Sequence, residues 1–205
     1  MGARRRAGGA RAVCAGRIAI MMNANQAATL TPPVNSRDHS RGPEDAPVTL
    51  VEYGDFECPA CGQAYPIVQA VCEQMGDRLR FVFREFPLRQ THPHAEAAAE
   101  AAEGAGVRRA FWPMHDLLFT HQDALTPRDL AAYASQLGLD ARQFAAEVQA
   151  RRFEPAVEED LQSGMASGVQ GTPTFFINGV QYEGPIDADA LRSALEQAAG
   201  APARR

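Results

Sequence analysis

Two cysteines set three residues apart, in Cys58-Pro59-Ala60-Cys61, are the side chains of this chain best suited to do chemistry. The thiolate is the nucleophile in sulfur exchange, so what matters is whether the surroundings favour one of the two as an anion. On a helix, residues three apart share a face. The pair could then close a small disulfide ring, or Cys61 could attack a mixed disulfide formed at Cys58. The same spacing would suit half of a zinc site. That reading needs two more ligands, and the chain has no second Cys-x-x-Cys and only scattered histidines. A structural disulfide fits less well still. The pair is read as a redox couple, with no metal.

The flanking residues say how such a pair would be held. Val48 to Tyr53 is a short apolar run rich in β-branched and aromatic residues, as expected of a strand buried on both faces. Gly54 and Asp55 break it, and apolar residues then recur with helical spacing at Tyr65, Val68, Val71, Cys72 and Met75. Pro59 suits the first turn of that helix, where its missing N–H would have no partner. Cys58 therefore stands at a helix N-terminus, whose free N–H groups and partial positive charge favour a thiolate. The expectation is a lowered pKa at Cys58, which should alkylate first, with Cys61 a turn inside. Cys72 lies about 16 Å further along the helix, too far to pair with Cys61, and is read as a core thiol. Cys14 is read as a free, exposed thiol.

The segment resembles the active site of the thioredoxin superfamily, and more closely its DsbA-like branch. Three further positions agree with that branch. Glu52, six residues before Cys58, matches its buried acidic residue; Pro66 matches the proline that kinks the active-site helix; Gly171-Thr172-Pro173-Thr174 resembles the cis-proline loop. The wider pattern, from DFECPAC through FREFPL, THPHAEAAAEAA and FWPMHDLLF to GTPTFFING, is similar to thioredoxin-like domains sometimes fused to sodium/proton antiporters. The resemblance covers about residues 37–200. It implies a thiol-disulfide oxidoreductase without a cofactor, in which Cys58, Cys61 and Glu52 are catalytic and Thr172 with a cis Pro173 binds an extended substrate. Glu52, on the same strand face as Val48 and Leu50, would point into the core near Cys61, where burial should raise its pKa toward neutrality. Pro59 and Ala60 occupy the two motif positions between the cysteines. Strongly oxidising relatives carry His where this chain has Ala60, so one thiolate donor is missing here. The implied partners are protein or peptide thiols and disulfides, with a redox partner protein or glutathione to recycle the pair.

Composition bounds these readings. A chain of 205 residues with 45% hydrophobic content suits one domain with an ample core. The net charge of -5 is uneven: residues 1–41 carry seven Arg and one Asp, the remainder thirteen Arg against twenty-four acids. An acidic folded part argues against a nucleic-acid partner, and nothing points to a membrane partner. Residues 1–41 have little to bury and are read as a disordered extension, as are 201–205. Arg4, Arg5 and Arg6 could open an export signal, but Arg17 cuts the apolar stretch to Ile18–Met22. The expectation is a cytoplasmic protein, or an extracytoplasmic one if that tail is an atypical signal. Translation starting at Met21 or Met22 would make the Arg-rich piece irrelevant.

Leu79 to Phe86 reads as a second strand, parallel to the first, completing a β-α-β unit over residues 42–90. Residues 91–168 are helical throughout: an alanine-rich helix from Pro93 to about Gly104, an aromatic one over Phe111 to Phe119, one capped by Thr126 and ending at Gly138, one capped by Asp140, and one through Val157, Leu161 and Met165. Residues 169–200 return to strand, with an Asn178-Gly179 hairpin and a last helix capped by Asp187. The expected architecture is α/β: a thioredoxin fold, with a mixed sheet flanked by helices, and an all-helical insertion before the cis-proline loop. His92 and His94 are read as solvated or capping, and Trp112, Met114, Leu117 and Phe119 as core. Two other classes compete: a thioredoxin-like binding module, against which the intact Cys58, Cys61, Glu52 and Pro173 argue, and a glutathione-handling transferase or isomerase, from which Cys61 discriminates.

Overall fold

The computed structural model describes residues 27–200, in which five strands and seven α-helices follow one another. The strands are β1 (His39–Arg41), β2 (Val48–Gly54), β3 (Leu79–Glu85), β4 (Thr174–Ile177) and β5 (Val180–Tyr182). Helix α1 (Pro59–Met75) joins β2 to β3, and α2 (Ala95–Gly106), α3 (Phe111–Thr120), α4 (Pro127–Gln136), α5 (Ala141–Gln149) and α6 (Glu154–Ala166) fill the chain between β3 and β4; α7 (Ala188–Gly200) follows β5. The sheet runs in the order β1-β3-β2-β4-β5, parallel between β2 and β3 and antiparallel elsewhere. It is the expected mixed sheet, flanked by helices, with a helical insertion before β4.

Strand β2 is central, which is why its sequence is apolar on both faces. One face, with Val48 and Leu50 beside Phe81 and Phe83 of β3, packs under α1, α3 and α7. On the other, Val51 and Tyr53 beside Val82 and Phe176 pack against Leu30, Phe86 and Val169. Close approach fixes two glycines: a Cβ at Gly54 would stand 2.4 Å from the Phe83 ring, and one at Gly164 of α6 would stand 2.5 Å from Phe86. The hairpin between β4 and β5 turns on Asn178 (φ 48°) and Gly179 (φ 79°), the left-handed pair that a two-residue connection requires. Local capping holds as expected at α4, where Thr126 and Asp129 form a reciprocal capping box, and at α5, where the Asp140 side chain accepts from Arg142 N and Gln143 N.

One expectation is corrected. Residues 27–41, read as part of a disordered extension, belong to the fold. Leu30 N donates to Gly179 O at 2.8 Å, Gln181 N donates to Ala28 O at 2.9 Å, and β1 pairs with β3 at the sheet edge. This order comes from backbone pairing with distant strands and from burial of Leu30, neither of which leaves a periodicity in the local sequence. The readings placed on Arg4–Arg6, Cys14, Ile18–Met22 and residues 201–205 lie outside the described residues.

Candidate active site

The turn from β2 to α1 carries Cys58 as the N-cap of α1, with Pro59 in the first helical turn. Cys58 and Cys61 are both free thiols, 6% and 0% exposed. The Cys58 thiol donates to Thr172 O at 3.4 Å, so the loop before β4 closes over the sulfur, and the Thr172–Pro173 bond of that loop is cis. Once ionised, Cys58 can only accept. Hydrogen bonding from the Cys61 thiol leads, burial opposes it, and the Thr172 side chain with the N–H groups of Cys61 and Ala60 adds to it, pulling the Cys58 pKa down to about 5. The Thr172 hydroxyl is buried and has no hydrogen-bond partner while Cys58 is a thiol, which leaves it free to donate to the thiolate. Ala60 and Pro59 are exposed beside the sulfur.

Cys61 moves the opposite way. Burial, then the hydrogen bond it gives Cys58, then the nearby Glu52 carboxyl hold it strongly in the thiol form. Glu52, opposite Phe83 and Phe175 in the sheet, is 2% exposed and points under α1, and its Oε1 has no hydrogen-bond partner. Burial foremost, with the charge at Cys58 second, raises its pKa to about 8. The structure thus gathers Cys58, Cys61, Glu52, Thr172 and Pro173 at one end of the sheet, with one thiol ready as an anion, the other kept protonated, and a carboxyl able to carry a proton near pH 7. Cys72 is partly buried in the same core, and burial pushes it up to about 12.

Two further side chains shape this turn. Gln122, after α3, donates through Nε2 to Phe56 O at 2.8 Å and to Cys58 O at 2.9 Å. Gly62 makes room for it, since a Cβ there would stand 1.9 Å from Gln122 Oε1. A glycine in the first turns of a helix was the available signal for that close approach. Buried Asp55 accepts from Glu57 N and Leu88 N, each at 2.8 Å, and from His92 Nδ1 at 2.7 Å. His92 is therefore tied to the active-site turn rather than solvated or capping, a correction with no local sequence signal because the partners are 37 residues apart. His94 stands at the start of α2, where its N–H donates to Glu57 Oε2 at 2.6 Å. Trp112, Met114 and Phe119 pack in the core over Phe81, Phe83 and Phe56. Among the described residues no three His, Cys, Asp or Glu side chains are arranged to hold a metal ion.

Comparison with known proteins agrees with this fold. A family model described as thioredoxin matches residues 34–197. Na(+)/H(+) antiporter NhaA 1 of Salinispora arenicola is 49% identical over 162 residues, which cover 79% of this chain and 25% of that protein. Na(+)/H(+) antiporter NhaA of Herminiimonas arsenicoxydans is 45% identical over 168 residues, 82% of this chain and 27% of that one. The chain spans about a quarter of the length of these curated relatives. Among solved structures, oxidised BdbD from Bacillus subtilis superposes with a TM-score of 0.75 at 25% identity, over 86% of this chain and 100% of BdbD. The thiol-disulfide exchange protein alpha-DsbA2 from Wolbachia pipientis superposes with a TM-score of 0.69 at 18% identity, over 80% and 88% of the two chains, a likeness of fold.

Proposed function

The chain belongs to the thioredoxin family, and from that premise we propose that it is a DsbA-like oxidoreductase exchanging disulfides with protein or peptide substrates through Cys58 and Cys61. The observation that carries this reading is the placement of the two thiols, Cys58 capping α1 against the cis Thr172–Pro173 loop and Cys61 buried behind it, which favours the anion at Cys58 and the thiol at Cys61. In the oxidising direction a substrate thiolate attacks Cys58 Sγ, forming a mixed disulfide and breaking the Cys58–Cys61 bond. Cys61 leaves with the electron pair and takes a proton from Glu52. The substrate's second thiolate then attacks its own sulfur in the mixed disulfide and expels Cys58 as a thiolate. Two electrons pass from the substrate dithiol to the pair. Run in reverse, Glu52 removes the Cys61 proton and the substrate disulfide is reduced.

The substrate is an extended segment laid against Thr172 and Pro173. A polar cavity of about 460 Å³ beside that loop, walled by Gly168, Gln170, Gly171, Thr174 and Gln181, supports recognition through backbone rather than large apolar side chains. The test is thiol mapping. Near neutral pH, Cys58 should be the only one of the pair alkylated rapidly, and Cys61→Ser should accumulate mixed disulfides through Cys58. Mass mapping that finds Cys61 labelled first would overturn the assignment.

A further inference from the structure

Ala60, exposed between the two cysteines, offers the thiolate no charge. A second titratable group is tied to this turn from the start of the helical insertion. His92 reaches back to Asp55, whose side chain is 0% exposed, and the same carboxylate accepts from the N–H of Glu57, the residue before Cys58. The Asp55 carbonyl accepts from Cys58 N at 3.1 Å. One carboxylate therefore lies between the imidazole and the active-site turn and fixes them to each other. Because Asp55 holds the proton on Nδ1, the proton that comes and goes on this imidazole is the one on Nε2.

We propose that His92, positioned by Asp55, is the electrostatic partner of Cys58: it takes up proton at Nε2 when the disulfide is reduced to the Cys58 thiolate and gives it up on reoxidation. Asp55 touches the imidazole, and the charges that act on it are those of Asp55 and Glu57 from the turn and of Cys58 at the helix start. The Glu57 carboxylate is engaged by His94 N, and Asp55 has three donors to offset its charge. The redox pair is the one member of this set whose charge changes during turnover. Burial lowers the His92 pKa, but the Asp55 hydrogen bond and the charges of Asp55, Cys58 and Glu57 outweigh it, and the net direction is upward. Reduction by a substrate dithiol delivers two electrons to the pair, leaves one proton on Cys61 and none on Cys58, and adds a fraction of a proton at His92.

Coupling between two sites is reciprocal, and that gives the test. The inference rests on Cys58 being the reactive thiolate, so two readings are taken separately. Thiolate absorbance measures Cys58 in the wild type, and imidazole NMR follows His92 in the oxidised protein, the reduced protein and a Cys58→Ser variant. His92 should titrate about half a pH unit to one unit higher in the reduced form than in the other two. His92→Asn, which keeps a donor to Asp55 without the charge, should raise the Cys58 pKa by the same amount. It should lower the reduction potential by about 15–30 mV at pH 6, with the difference vanishing at pH 9 where the imidazole is neutral. A Cys58 absorbance step near pH 9 would defeat the assignment of the reactive thiol. A low Cys58 step with identical His92 titrations in all three proteins would overturn the partnership alone, and the wild-type spectra decide this even if the variant does not fold.

Discussion

Tyr53 and Glu52 are neighbours on β2, yet the ionisable groups they bring to the two faces of the sheet live under opposite conditions. On the Tyr53 face, Arg84 is 2% exposed and spends its guanidinium on Asp38 Oδ1 and Oδ2 at 2.7 and 3.2 Å, the Tyr53 hydroxyl at 2.9 Å, Pro32 O at 3.1 Å and Pro33 O at 3.4 Å. On the other face Glu52 is equally buried and has an oxygen with no partner at all. A satisfied buried charge is locked in one protonation state and holds structure together; an unsatisfied carboxyl stays close to the point of gaining or losing a proton. Glu85 shows that isolation is not enough. Both its oxygens are unpartnered and burial with the charges of Glu103, Asp160 and Asp55 drives its pKa well up, but the charges acting on it are those of acids and not of a thiol.

The comparison predicts its largest effect at Arg84. Arg84→Met strands Asp38 in the interior and frees the segment from Pro32 to Asp38, which should cost about 3–5 kcal/mol in denaturant unfolding. Alkylation of Cys58 in the protein that remains folded should be unchanged. A loss under about 1 kcal/mol would show that this network does not hold the N-terminal segment.

Glu52→Gln should act in the opposite sense. The carboxyl ionises near 4.5 when unfolded and near 8 when folded, so the unfolded state alone releases its proton between those values and stability falls as pH rises through the window. The variant should gain nothing below about pH 4.5 and gain on the order of 1–3 kcal/mol above pH 8. It should also slow release of mixed disulfides from Cys58 by about 10–100-fold, read by stopped flow between about pH 6 and 8. Glu85→Gln sharpens the contrast, since it should stabilise the fold in the same direction and leave that rate alone. Equal slowing in both variants would mean that the two carboxyls act on the fold and not on the thiol.

The smallest effect is expected at Gln122, a neutral side chain joining the insertion to the active-site turn. Gln122→Ala removes the hydrogen bonds to Phe56 O and Cys58 O and should cost about 1–2 kcal/mol of stability, with the Cys58 absorbance step moving less than it does in His92→Asn. A larger loss than at Arg84 would reverse the ranking of the two faces.

The sequence by itself determined most of the local elements and the placement of two neighbouring cysteines at a helix start. Pro59 after Cys58 marks a helix start, Thr126 with Asp129 marks a capping box, and Asn178-Gly179 marks a tight hairpin, because each depends on backbone geometry within a few residues. The alternation along β2 assigned Glu52 to the Val48 and Leu50 face, but the resemblance to a known branch was needed to read it as buried rather than as a strand-end carboxylate. Only the tertiary structure decided the rest. Order in residues 27–41 depends on pairing with β3 and β5, the Asp55–His92 contact spans 37 residues, and the Gln122 clamp comes from a different helix pair. The physical reason is common to all three: a hydrogen bond to a distant carbonyl or carboxylate imposes no pattern on the residues beside its donor, whereas a cap, a turn or a buried strand does.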